Sequence, residues 1–308
     1  MTMNLSWIDD FNALAATGNF SRAAEERHMT QPAFSRRIRA LEEWLGTELF
    51  DRSSQPARVT EVGEWFRISA QDLQSRVAAL PGEARALVEA SSSTLRFAST
   101  HALSFTFLPQ WLRALEAHAT MGPIQLISDV HQKCEDLLAQ SEVHFMLAHA
   151  HPSARGALED ASFPSLLVGR DQLVPVSAAD AQGAPRHRLE TATGGAPIHL
   201  LGYSQVSGLG RILRMLKGPA IERLQHQYVL TAHLASVLRT MALDGRGLAW
   251  LPRLLVGDDL ERGRLVVAAA SEWNVDLDIR LYRYRANAGR AAEGFWAAAR
   301  SATERGES

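Results

Sequence analysis

Apolar residues in the first 45 positions recur at helical spacing. Ile8, Phe11, Leu14 and Ala15 share one face of a helix that ends at Gly18-Asn19. A second, short helix is predicted over Arg22 to His28, with Ser21 as its N-cap. Thr30 caps a third helix, and Gly46 stops it. Its buried stripe is Phe34, Ile38, Leu41 and Leu45, with Trp44 counted in the same core. Pro32 falls in the first turn, where a missing N–H costs no hydrogen bond. Short helices joined by a tight turn make a helix-turn-helix.

Thr47 to Val59 reads as a small hairpin, or wing, around Ser53-Ser54-Gln55-Pro56. Thr60 opens a long helix running at least to Leu80. Along it Phe66, Leu73, Val77, Leu80, Ala84 and Leu87 are spaced 7, 4, 3, 4 and 3, a coiled-coil seam. Pro81-Gly82 should kink or split that helix. Ser91-Ser92-Ser93 reads as a linker.

From Thr94 the texture changes. Short β-rich runs cover Leu95–Ser99, Ile124–Ser128, Val143–Leu147, Leu167–Val176, Ile198–Gly202, Leu248–Leu251, Leu265–Val267 and Ile279–Tyr284. Helical runs such as Leu108–His118, Val206–Lys217 and Leu234–Leu243 fall between them. This is an α/β pattern, read as mainly parallel sheets. Ala178 to Ala196 reads as a surface loop.

Composition narrows the picture. The 308 residues are 46% hydrophobic, enough for about two domains with a core each. The single cysteine, Cys134, excludes a disulfide framework and a multi-cysteine zinc site, and it is read as buried on a helix. No run of apolar residues is long enough to span a membrane, and Met1 to Asp10 does not look like a secretory signal. A reducing cytoplasm fits. Net charge is −2, which argues against a chain coated in nucleic acid. The stretch Thr30 to Arg39 nevertheless carries Arg36, Arg37 and Arg39 and no acid, and a local basic patch can dock on phosphates.

The residues then resemble a family. Asn19-Phe20-Ser21-Arg22-Ala23-Ala24, Thr30-Gln31-Pro32-Ala33-Phe34-Ser35-Arg36-Arg37-Ile38, Leu41-Glu42, Leu45-Gly46, Leu49-Phe50-Asp51-Arg52 and Thr60-Glu61-Val62-Gly63 resemble the LysR-type DNA-binding domain, in order, over residues 5–65. The second half resembles it more loosely, most clearly at Gly245-Arg246-Gly247-Leu248-Ala249-Trp250-Leu251-Pro252. The phrase Gln31 to Glu42 is most similar to the hypochlorite-responsive regulators. The resemblance implies an α/β chain: an all-α winged helix-turn-helix over 1–62, a linker and dimerisation helix over 63–91, and an effector domain over 92–308. That domain would be two-lobed and like a periplasmic binding protein, its lobes joined by two crossover strands. Lobe I would take about 92–165 and 269–308, and lobe II about 166–268. A homotetramer built as a dimer of dimers, bound to interrupted palindromes in double-stranded DNA, is also implied. The chain departs from the family at Pro81, because the dimer helix is usually continuous.

Gln31, Ser35, Arg36 and Arg39 share roughly one face of the third helix. Arg can donate twice to guanine, and Gln twice to adenine. Thr30, Gln31, Pro32, Ser35 and Arg36 are therefore expected at DNA, with Arg37, Arg39, Arg52 and Arg58 mostly on phosphates. In the second half His101, His131 and His149 follow the first three predicted strands, and ligands bind outside strand carboxyl ends. Ser99, Thr100, Tyr203 and Ser204 also lie at strand ends and could offer hydroxyls to an anion. Trp250 is counted with them. The expected pocket holds His101, His149 and Tyr203, with Ser99 and Thr100 at its floor. It should take a small anionic effector, more tightly as pH falls through the histidine range. Three independent loop histidines are the plainer alternative.

Nothing in the chain makes a catalytic constellation. Gly208-Leu209-Gly210 has no phosphate-loop lysine after it, and no nucleophile elbow or zinc-protease motif occurs. No cofactor or metal is expected, and no enzyme. The alternatives to an effector-gated regulator are a switch driven by Met or Cys oxidation, and a constitutive DNA binder whose C-terminal half only oligomerises.

Overall fold

In the computed structural model, the helical periodicity of the N-terminus becomes α1 (Ser6–Thr17), α2 (Phe20–Glu26) and α3 (Gln31–Leu45). The structure describes residues 3–53, 56–88, 94–117, 121–154, 156, 158, 163–189, 197–284 and 289–306. The wing-tip residues Ser54 and Gln55, the side chain of Leu87, the Ser91-Ser92-Ser93 linker, His118 and the second half of the Ala178–Ala196 loop (190–196) lie outside the described residues. The chain divides into two compact units, Met1–Ala78 and Ala79–Ser308.

In the first unit Ile8, Phe11, Leu14, Phe34, Ile38 and Leu41 form one core with Leu49, Phe50, Phe66 and Ala70. The cap of α2 is Asn19, whose side chain accepts from the Ser21 and Arg22 N–H groups, so Ser21 is inside the helix and not its cap. Trp44 is 41% exposed, not core, because it lies off the Phe34–Ile38–Leu41 stripe. β1 (Phe50–Asp51) and β2 (Arg58–Val59) pair antiparallel as the wing. Buried Glu42 of α3 holds that wing: its carboxylate accepts from the N–H groups of Leu49 and Phe50 and pairs with Arg52.

α4 (Glu61–Val88) is one continuous helix. Pro81 removes a backbone hydrogen bond but does not split it, so the split that the sequence allowed does not occur. Phe66 of the expected seam is instead buried in the first unit's core. Val62, Trp65, Ile68, Leu73 and Leu80 are left exposed along α4. Among the described residues, no helix is long and apolar enough to cross a membrane.

The second unit is built on a curled seven-stranded sheet. Its strands are β3 (Leu95–Thr100), β4 (Ile124–Asp129), β5 (Phe145–Ala150), β6 (Ser165–Ala178), β9 (Ala249–Pro252), β10 (Leu265–Val267) and β11 (Val275–Arg283). The order is β10-β6-β11-β5-β3-β4, with β9 also on β6. Only β3 with β4 and β3 with β5 are parallel. β6 and β11 run antiparallel to their neighbours, so the sheet is mixed and not mainly parallel. The cause is topological. β6 is long enough to pair with β11 over its first part and with β9 and β10 over its last, which makes it a crossing strand.

Lobe I packs α5 (His101–Thr106), α6 (Leu108–Glu116), α7 (His131–Ala139) and α11 (Arg290–Arg305) on β3, β4 and β5. One face of its sheet is sealed by Phe97, Phe145, Trp111 and Phe295, the other by Cys134, Leu138 and Met146. Lobe II has its own core around Leu200, Ile212, Leu238 and Trp250. It packs α8 (Gly208–Ile221), α9 (Ala235–Leu243) and α10 (Arg253–Glu261) against β9, β10 and a parallel pair, β7 (Ile198–Tyr203) and β8 (His226–Ala232).

Candidate functional site

Two places gather the polar residues. The first is the outer face of α3. Gln31, Ser35 and Arg39 are one helical turn apart and open onto one groove with Asn19, Ser21, Arg22 and Arg52. Thr30, Gln31, Pro32, Arg36 and Arg39 are exposed and Ser35 is half-buried. Arg58 is exposed on the wing.

Arg37 and Arg52 stand differently. Arg37 Nε lies 2.7 Å from Asp10, whose carboxylate is fully buried, and Arg27 Nε bonds the same carboxylate at 2.9 Å. Arg37 also donates to Ser6. Arg37, expected at phosphate, thus spends its Nε on a buried charge. Arg52 pairs with Glu42 and lies over the Phe20 ring at 5.5 Å, so it fixes the wing at the groove's edge. Asn19, Ser21 and Arg22 were missed in the sequence, since nothing in their spacing shows that α2 borders this groove.

The second place is a cleft between the lobes. Thr100, His101, Asp129, His131, His149, Ser207, Gly208, His233 and Leu234 are among its walls, around a cavity of about 40 Å³. That is room for a few waters, since one needs roughly 10–15 Å³. Each wall has a structural reason. β3, β4 and β5 are mutually aligned in one direction, so their carboxyl ends fall along one edge. His101 and His131 open the helices that follow β3 and β4. His149 is inside β5, because that strand starts and ends later than its apolar run suggested. From lobe II, Ser207 caps α8 by accepting from the Gly210 N–H at 3.2 Å, and His233 and Leu234 lead into α9. The opening turns of α7, α8 and α9 thus converge on the cavity and bring partial positive charge.

The polar partners are specific. His101 Nδ1 is 3.0 Å from Ser128 Oγ. Buried His149 has Nε2 3.0 Å from Asp171 Oδ2. Asp171 Oδ1 also accepts from the Gln172 and Leu254 N–H groups, so one carboxylate joins β5, the crossing strand β6 and the first turn of α10. With Nε2–H donated to Asp171, His149 keeps Nδ1 for other partners.

Four expected ligand residues are not among the cleft walls. Tyr203 points into lobe II's core, where its hydroxyl donates to the Trp250 carbonyl at 2.9 Å. Burial, with the charge of Asp171 adding, pushes that phenol up from its ordinary range. Trp250 is itself core, its indole N–H donating to the Trp273 carbonyl at 2.9 Å. Ser99 is fully buried and donates to the Thr100 carbonyl. Alternation along a strand aims every second side chain into the core, and proximity to a strand end does not reveal which. The Ser204 hydroxyl is buried too, away from the cavity walls. His233 was missed because β8 was not predicted; the strand-end rule would have found it. Asp171 lies mid-strand and gives no signal in the sequence.

Cys134 is fully buried on α7, and burial pushes its thiol up to about 12.

The comparisons with known proteins agree over both halves. The profile described as bacterial regulatory helix-turn-helix protein, lysR family, matches residues 5–64, and that of the LysR substrate binding domain matches 89–304. The HTH-type transcriptional regulator YjiE of Escherichia coli (strain K12) is 32% identical over 94% of this chain and 92% of its own length. Full-length HypT from Salmonella typhimurium, a hypochlorite-specific LysR-type regulator, is 29% identical over 99% of each chain with a TM-score of 0.60. Its regulatory domain in a bromide-bound form is 25% identical, over 69% of this chain and 96% of that one, with a TM-score of 0.58. DarR from Vibrio fischeri, in complex with DNA, is 28% identical over 97% of this chain and 99% of its own, with a TM-score of 0.57.

Proposed function

The chain belongs to the LysR family of bacterial DNA-binding transcription regulators, and from that premise we propose that its effector is a small anion held between the lobes by His101, His131, His149 and His233. The observation that carries this is the meeting of three helix N-termini and four imidazoles on one small cavity. Helix N-termini stabilise anions, and protonated imidazoles donate from both ring nitrogens. The cavity's size favours an ion of few atoms. Kinship with YjiE and HypT supports placing the chain beside the hypochlorite-responsive regulators, and the bromide-bound HypT domain supplies a probe. Bromide titration followed by tryptophan fluorescence tests the reading. Saturable binding is expected, weakened about tenfold by His101→Ala, the size of one charge-assisted hydrogen bond. A linear, unsaturable response in the wild type would sink it.

The DNA contacts proposed are Thr30, Gln31, Pro32, Ser35, Arg36, Arg39 and Arg58, with the protein acting in the cytoplasm on an operator. The effector would act by population shift: it favours the lobe arrangement it binds best, which changes how subunits pack on DNA. The exposed apolar row on α4 is the proposed seam between two copies, within a dimer of dimers. Leu73 and Leu80 are 37% and 51% exposed there. The double variant Leu73→Glu, Leu80→Glu is expected to halve the mass seen by light scattering or reduce it further. An unchanged mass would move the seam elsewhere.

A further inference from the structure

Beside the cleft lies a second cavity of about 10 Å³ that shares His131 and His149 with the first. Its walls include Arg211 of α8, from lobe II, and Glu135 of α7, from lobe I. His131 Nε2 sits 3.1 Å from Glu135 Oε1 and 3.2 Å from Arg211 Nη2. Glu135 is 3% exposed. The guanidinium therefore crosses from one lobe into a buried acidic corner of the other. Two glycines let it do so. A Cβ on Gly156 would fall 2.8 Å from Glu135 Oε1 and 2.9 Å from Arg211 Nη2. A Cβ on Gly208, the first residue of α8, would fall 2.8 Å from His131 Cβ. Both are closer than a Cβ normally approaches another heavy atom, so a side chain at either position would crowd this contact.

We infer that Arg211 is a positioning residue, a latch that holds the two lobes closed on this edge of the cleft. Its Nε is buried and its Nη2 meets His131, the same imidazole that meets buried Glu135, and opening the lobes would pull the Arg211–His131 contact apart. His131 ties the latch to the cleft. Its Nε2 can donate to Glu135 or accept from Arg211, and cannot do both at once. Its other ring nitrogen lies near Gly208 at the cavity wall. An anion that takes a hydrogen bond from Nδ1 of a neutral His131 leaves Nε2 as the acceptor for Arg211. The occupant of the cleft thus selects which partner His131 holds. That coupling rests on the anion reading; the latch itself does not.

The test uses the full-length protein with spin labels on cysteines introduced at Ala114 of α6 and Thr240 of α9, both exposed, one in each lobe. Buried Cys134 does not compete for label. Labelled chains are diluted into unlabelled ones so that only distances within a chain are read. Arg211→Ala is expected to lengthen and broaden the distance between lobes, and Arg211→Lys to restore most of it. Gly208→Ala, which keeps Arg211, is expected to lengthen it as well. Where the wild type takes up bromide, Arg211→Ala should bind it on the order of tenfold more weakly, since the closed form is then less populated. An Arg211→Ala distance equal to wild type overturns the latch, whether or not bromide binds. A lengthened distance with no bromide uptake by the wild type leaves the latch standing and removes the anion reading instead.

Discussion

Arg37→Ala is expected to destabilise the DNA-binding unit by about 2–3 kcal/mol, below the 3–5 kcal/mol of a fully broken buried pair because Arg27 remains on Asp10. Asp10 is fully buried, and Arg37 is one of the two cations that compensate it. For a unit of this size that corresponds to a fall in melting temperature of about 10 °C or more. Arg36→Ala, one residue earlier and exposed, should leave melting unchanged and cost DNA discrimination instead, by about 1–3 kcal/mol. Circular dichroism melts of both variants separate the two roles. If Arg37→Ala melts like wild type and loses DNA affinity, the arginine belongs on phosphate after all.

The second large effect is expected at Asp171, where one carboxylate joins β5, β6 and α10. Asp171→Ala removes the partner of buried His149 and the acceptor of two backbone N–H groups, those of Gln172 and Leu254. Leaving such groups unpaired costs about 3–5 kcal/mol in total. Asp171→Asn keeps the oxygen that accepts from the two N–H groups, so it should recover a large part of that loss. Denaturant midpoints of the full chain measure both. Equal, small losses in the two variants would mean that the carboxylate is not what joins β5, β6 and α10.

The first unit was legible from its sequence because its apolar period, proline and stopping glycine all act locally. Pro32 and Gly46 mark the ends of α3 whatever the rest of the chain does, while the cap of α2 fell on Asn19 and not on the expected Ser21. What was not legible there is long-range. The Asp10–Arg37 pair joins residues far apart in sequence, so a basic run looked uniformly free when one of its members is paired with a buried carboxylate. Phe66 likewise keeps a seam-like spacing while serving the core.

In the second unit the strand-end rule brought His101, His131 and His149 to one cleft, because β3, β4 and β5 do share a direction. It misplaced Tyr203 and Trp250, whose positions near strand ends say nothing about which face the side chain takes. The crossing strands β6 and β11 carry apolar runs like any other strand, and only their pairing reveals that they run antiparallel. Arg211, Glu135 and Gly156 come from three separate stretches, and their meeting depends on how two lobes close.

Selection of binding sites from a random duplex library by the full-length protein tests the proposed DNA reading most directly. The expected result is enrichment of an interrupted palindrome, lost or relaxed at defined positions in Arg36→Ala. Arg39→Ala should lower recovery of all sequences alike, as a phosphate contact would. No enriched sequence with the wild type, or the same enriched palindrome with Arg36→Ala, would contradict the assignment of the α3 face to operator recognition.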